Sequence, residues 1–217
     1  MLIFIPLTVV LGLLFLPSRQ FGYVILATVI LSLIPFLLHF ERKETNGKTI
    51  IIIAVMIALS TSGRLLFAFI PGFKPVTAIV ILTALYFGAE AGFLTGALTA
   101  VISNFYFGQG LFTPFQMFAW GFIGLTAALL AKPLLTNKIL LIIFGFLSGF
   151  VYSLLLDVWT AQMVNNGFNF EKYFSAISIA FLSQAFVYAV SNVLFLLLLA
   201  PSVGKILKRI KTKYGLK

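Results

Sequence analysis

Arg64 is the residue whose setting most demands an explanation. It lies about two turns before Pro71 in an otherwise apolar run, where burying an unpaired guanidinium is costly. Three roles fit it: an ion pair with Asp157, the only Asp in the chain; a contact to an anionic part of a ligand; or snorkelling to headgroups. A second concentration of polarity is Ser103-Asn-Phe-Tyr-Phe-Gly-Gln-Gly-Leu-Phe-Thr-Pro-Phe-Gln116, followed by Trp120. Here the amides of Asn104, Gln109 and Gln116 alternate with rings such as Tyr106, between two apolar segments. Aromatic walls with a few amides can enclose a small molecule and hydrogen-bond its polar edge. An interfacial aromatic belt accounts for the rings but not for the amides. Lys74, Tyr152, Trp159, Gln162, Asn165 and Asn166 extend the set on the same side. The segment from Asp157 to Tyr173 reads either as a lid or as a solvated loop. Gln184, Tyr188 and Asn192 recur every fourth residue on the last apolar run, so they share a helix face. They either line the interior or bond a neighbouring helix.

Much chemistry is excluded. There is no Cys, and His39 is the only His, so thiol nucleophiles, thiolate metal sites and multi-histidine metal sites are out. The few acids are scattered, with no metal-holding cluster and no nucleophile–base pair, so no enzyme is expected. No phosphate-cradling loop is present, and any ATP used must be hydrolysed by another subunit. An autonomous coupled transporter would place carboxylates near the midplane and often show repeated halves. Neither is visible, which favours a binding subunit with no cofactor of its own.

These residues must be held by membrane helices. Of the 217 residues 61% are hydrophobic and 9% charged, against about 25% charged in a soluble domain. Apolar runs predict an all-α integral membrane protein with helices near 2–16, 21–39, 48–70, 75–88, 90–106, 115–131, 138–158 and 175–200. The first is read as a retained span, since it lacks the basic flank and cleavage site of a signal peptide. Residues 75–106 are too long for one upright span and are split at Gly88-Ala-Glu90.

With residue 1 in the cytosol, Arg42, Lys43, Lys48, Lys132, Lys138 and the tail residues Lys205, Lys208, Arg209, Lys211, Lys213 and Lys217 fall inside. That is eleven of the fifteen basic residues, the bias expected for a cell-membrane protein with a cytosolic C-terminus. The net charge of +10 is thus an orientation signal, with no nucleic-acid role. The tail after Pro201 either serves that signal alone or lies on anionic lipid as an interfacial helix.

Two small-residue stripes mark close helix packing. Ala54, Ala58 and Ser62 form a groove for another helix, in this chain or in a partner. Gly88, Gly92, Gly96 and Ala100 are read as internal packing.

The stretch RLLFAFIPGFKPVTAIVILTALYFGAEAGFLTGALTAVISNFYFGQGLFTPFQMFAWGFIG, from Arg64 to Gly124, resembles the substrate-binding S components of energy-coupling factor (ECF) transporters, and FGQGLFTPFQMFAWG is its most specific part. The resemblance implies a six-helix substrate-binding core over 48–200, preceded by two additional transmembrane helices and a linker in 1–47 and followed by a basic tail at 201–217. It implies docking of a transmembrane coupling subunit, itself joined to two cytosolic ATPases, on Ala54 and Ala58. It also implies capture of a vitamin outside the cell, followed by toppling of the subunit when ATP is used. The loop looks most similar to the cobalamin-specific branch, with cobalamin or a corrinoid precursor as substrate. The expected substrate-binding residues are Arg64, Lys74, Asn104, Tyr106, Gln109, Gln116, Trp120, Tyr152, Asp157 and Trp159.

Overall fold

A computed structural model of the chain describes residues 47–164, 170–180 and 184–215, with isolated positions between 27 and 34. The expected helices at 2–16 and 21–39 fall almost wholly outside the described residues, as do Asn165 and Asn166. Seven helices follow in order: α1 Gly47–Leu66, α2 Val76–Phe107, α3 Thr113–Leu129, α4 Ala131–Thr136, α5 Lys138–Val164, α6 Phe170–Ala180 and α7 Phe186–Tyr214. The described chain is all-helical. Four stretches, Gly47–Leu66, Val76–Phe107, Lys138–Ala161 and Phe186–Tyr214, are long and apolar enough to cross a membrane.

The helix α2 is the centre of the bundle. Its most apolar window is 78% buried, against 33%, 33% and 28% for the other three. A helix apolar on all sides belongs inside, whereas one that leaves apolar residues open must face lipid. At Gly88 the backbone leaves helical geometry with φ 90° and ψ −177°, a region that L side chains rarely adopt. The two arms fold back on each other there. A Cβ placed on Gly92 would lie 2.4 Å from the Cβ of Ala84, eight residues earlier, whereas eight residues of straight helix span about 12 Å. The split expected at Gly88-Ala-Glu90 is therefore a real reversal.

Of the glycine stripe, Gly92 and Gly96 pack internally, whereas Gly88 is exposed with open space beside it. A Cβ on Gly124 of α3 would sit 2.5 Å from the backbone carbon of Gly92, and one on Gly96 would sit 2.6 Å from the backbone of Trp120. Only hydrogen atoms at these positions let α2 and α3 approach backbone to backbone. Several hydroxyls of α2 are satisfied locally: Thr83, Thr95 and Thr99 each donate to the carbonyl four residues back, whereas the buried Ser60 and Thr61 hydroxyls of α1 have no partner among the described residues.

Two boundaries differ from expectation. The helix expected over 48–70 ends at Leu66, and the chain passes through tight turns closed by Ala68 N donating to Leu65 O (2.9 Å) and Ile70 N to Phe67 O (3.1 Å). The bias of a pre-proline residue away from helix favours this stop before Pro71. Phe67, Phe73 and Phe195 then clamp the connection onto α7, with centroids 4.9–5.7 Å apart. Of the run expected as one helix over 175–200, the structure describes α6 to Ala180 and α7 from Phe186, with 181–183 outside the described residues, and α7 continues through Pro201 to Tyr214. Proline cannot donate to the carbonyl four residues back, here that of Leu197, yet α7 continues; the Ser202 hydroxyl beside it bonds the carbonyls of Leu198 (2.9 Å) and Leu199 (3.4 Å). The basic tail is thus an extension of a span rather than a separate helix.

The two ends of the bundle differ chemically. Lys211 of α7 donates to the Tyr86 carbonyl at 2.7 Å, near the Gly88 reversal, and Lys48 lies 4.9 Å from the Tyr214 ring. At the other end Ser191 of α7 holds the Lys74 backbone, accepting from its N–H at 2.9 Å. Twenty residues of helix separate Ser191 from Lys211, or about 30 Å, the thickness of a bilayer core.

Candidate functional site

At the end marked by Ser191, residues from five helices, α1, α2, α3, α5 and α7, converge on a cleft of about 540 Å3, its open mouth included. Arg64, in the last turn of α1, is only 9% exposed. Its Nη1 donates to Asn104 Oδ1 at 2.8 Å and to the Ser103 hydroxyl. The guanidinium carbon also lies 4.5 Å from the centroid of Phe107 and 5.1 Å from that of Trp120, within cation–π range. These contacts turn the guanidinium into the cleft rather than out to the headgroups, so Arg64 does not snorkel.

Asn104 is fully buried and acts as a hub. With its oxygen turned to the cation, its amide nitrogen donates to Gln116 Oε1 (2.8 Å) and Thr113 Oγ1 (3.0 Å). Gln116 in turn donates through Nε2 to the Tyr152 hydroxyl at 3.4 Å. The result is a directed chain, Arg64 to Asn104 to Gln116 to Tyr152, linking α1, α2, α3 and α5. Once the cation fixes which end of Asn104 accepts, the amide orientations along the chain follow.

Beside this chain the Trp120 and Tyr152 rings stack, with centroids 5.0 Å apart and planes 18° from parallel, and Tyr188 meets Tyr152 edge-on at 5.1 Å. Lys74 lines the same cleft. Its Nζ donates to the Ile70 carbonyl at 2.6 Å and to the Phe67 carbonyl. Burial first, and then the nearby Arg64 charge, lower the Lys74 pKa from its ordinary value.

Of the ten expected binding residues, Arg64, Lys74, Gln116, Trp120 and Tyr152 line the cleft, and Asn104 braces it from behind. Four are placed elsewhere. Tyr106 is 71% exposed, because two residues beyond Asn104 a helix has turned about 200° to its other side. Gln109 is exposed and closes the loop after α2, donating to the Val101 carbonyl at 2.8 Å and accepting from Thr113 at 3.0 Å. Trp159 is half-buried against Phe115, 5.5 Å away. Asp157 does not pair with Arg64. It accepts from Ser153 at 3.2 Å and lines a second cavity with Phe150, Leu154 and Ile177.

Tyr188 and Asn192 do reach the cleft, although Asn192 also donates across to the Gly145 carbonyl at 3.1 Å. Both readings of that polar stripe therefore hold for Asn192, while Gln184 is exposed. Gly72, Val76, Thr77 and Leu156 complete the lining and were not expected there. Nothing in their types marks them; only Pro71 hinted that the chain turns at this point. Among the described residues no group of three His, Cys, Asp or Glu side chains could hold a metal ion.

On α1, the face carrying Ile53, Met56, Ile57, Ser60 and Arg64 is buried, whereas Ala54, Ala58 and Ser62 are exposed.

A family model described as ECF-type riboflavin transporter, S component, matches residues 44–209. The chain belongs to this family. No curated protein and no solved structure matches the chain. The match covers all seven helices except the end of α7, and it includes every residue of the cleft. As an ECF S component the protein is a multi-pass membrane subunit of a transporter and not an enzyme. It provides substrate specificity for a small-molecule vitamin and works with a module of a coupling subunit and ATPases.

Proposed function

We propose that this S component captures a flat, conjugated vitamin of the riboflavin class in the cleft between Arg64, Lys74, Trp120 and Tyr152. The carrying observation is the near-parallel Trp120–Tyr152 stack at 5.0 Å, which puts two conjugated rings in the cleft lining beside the donors of Arg64 and Gln116. A conjugated ring with carbonyls along one edge suits that pairing of π surface and donors. The riboflavin in the family's description supports the same class.

The basic ends of α1 and α7 sit on the cytosolic side in this reading, which turns the cleft outward. The exposed stripe of Ala54 and Ala58 is the docking face for the coupling subunit, whose partner ATPases supply the energy. Native mass spectrometry of the purified protein, combined with thermal unfolding across a vitamin panel, tests the ligand class. A retained or stabilising flavin is the expected result. Preferential binding of cobalamin or cobinamide would restore the corrinoid assignment, and no response to any vitamin would reject the cleft as the binding site.

A further inference from the structure

Two cations share the cleft, and every partner found for them is neutral. Arg64 bonds a hydroxyl and an amide and lies near two aromatic rings. Lys74 bonds two backbone carbonyls. The chain has only five acids, and no described residue lining the cleft is one of them. Asp157 belongs to the second cavity, Glu90 adjoins the Gly88 reversal, Glu171 is on α6, and Glu41 and Glu44 lie outside the described residues. A structural arginine is normally balanced by a carboxylate when buried, because desolvating an uncompensated charge is expensive. Here two positive charges line one cleft with no carboxylate among its described lining residues. Both hydrogen bonds of Arg64 run through Nη1, so within the described residues Nη2 and Nε remain to present a fork to a ligand.

We infer that the cleft is built for a ligand that brings its own negative charge, a phosphate-bearing form of the vitamin, with Lys74 and the free edge of Arg64 as the anion subsite. This deepens the flavin reading above, on which it rests for its first probe. The aromatic stack would select the ring system, and the two cations would select the charged arm. A neutral vitamin would satisfy the stack but leave the cations uncompensated.

The full chain in detergent is titrated with riboflavin and with riboflavin 5′-phosphate, followed by quenching of flavin fluorescence. The phosphate form is expected to bind about tenfold more tightly at low salt, the advantage shrinking at about 0.5 M salt as the charges are screened. In Lys74→Gln the ratio of the two affinities should fall towards one, and in Lys74→Arg it should be kept. Equal or tighter binding of riboflavin by the wild type, or an unchanged ratio in Lys74→Gln, would overturn the inference. If neither flavin binds, the flavin reading fails and the anion subsite is judged separately by thermal unfolding with inorganic phosphate against chloride at matched ionic strength. Stabilisation by phosphate that is lost in Lys74→Gln and kept in Lys74→Arg supports the subsite; its absence in the wild type overturns it.

Discussion

Arg64 Nη1 donates to Asn104 Oδ1 at 2.8 Å, joining the last turn of α1 to the far arm of α2 across forty residues of sequence. Because Asn104 passes the direction of that bond on to Gln116, its removal strands groups on both sides. Asn104→Ala should lower stability by about 1–3 kcal/mol, the cost of leaving buried polar groups unsatisfied, and should weaken ligand binding. Thermal unfolding of the apo protein checks the first effect and a binding titration the second. Unaltered unfolding would show that the network is not structural.

Trp120→Ala removes half of the stack and one ring beside the Arg64 guanidinium. Ligand affinity should fall about tenfold or more, since an aromatic pair contributes up to about 1.5 kcal/mol beyond the area it buries. The measurement is the ligand titration in which wild type and variant are compared at equal salt.

Tyr106→Ala should leave binding within about twofold of wild type, because exposed side chains away from special features contribute little and Tyr106 is 71% exposed. A large loss in the same titration would mean that the loop after α2 reaches the ligand.

Gly124→Ala tests the helix contact rather than the ligand. A methyl group there would lie 2.5 Å from the backbone carbon of Gly92, and backbone cannot yield as a flexible side chain can. Overpacking of this kind costs about 1–3 kcal/mol, read as a lowered unfolding temperature. Gly47→Ala, with nothing within 4 Å of the added carbon, is the control and should unfold as the wild type does.

Leucines placed at Ala54 and Ala58, both exposed on α1, should preserve folding and ligand binding yet abolish co-purification with the coupling subunit. Intact assembly of the double variant would move the docking face elsewhere.

The sequence by itself determined that the chain crosses a membrane with helices, because the length and polarity of apolar runs are local properties. It also pointed to the break at Gly88, since a largely apolar stretch of 32 residues exceeds one upright span and glycine tolerates the required φ. The glycine stripe was equally legible, because periodicity and side-chain size are written in order along the chain. What only the tertiary structure decided was which polar residues meet. Asn104 and Tyr106 are indistinguishable as ring-and-amide signals, yet helical phase turns one inward and the other out. Arg64 and Asp157, the obvious opposite charges, are separated because helix tilt and rotation aim them into different cavities, and neither quantity is encoded locally. The persistence of α7 through Pro201 likewise depends on packing against distant helices. A proline weakens one turn by a fixed local amount, but packing against neighbouring helices decides whether that turn breaks.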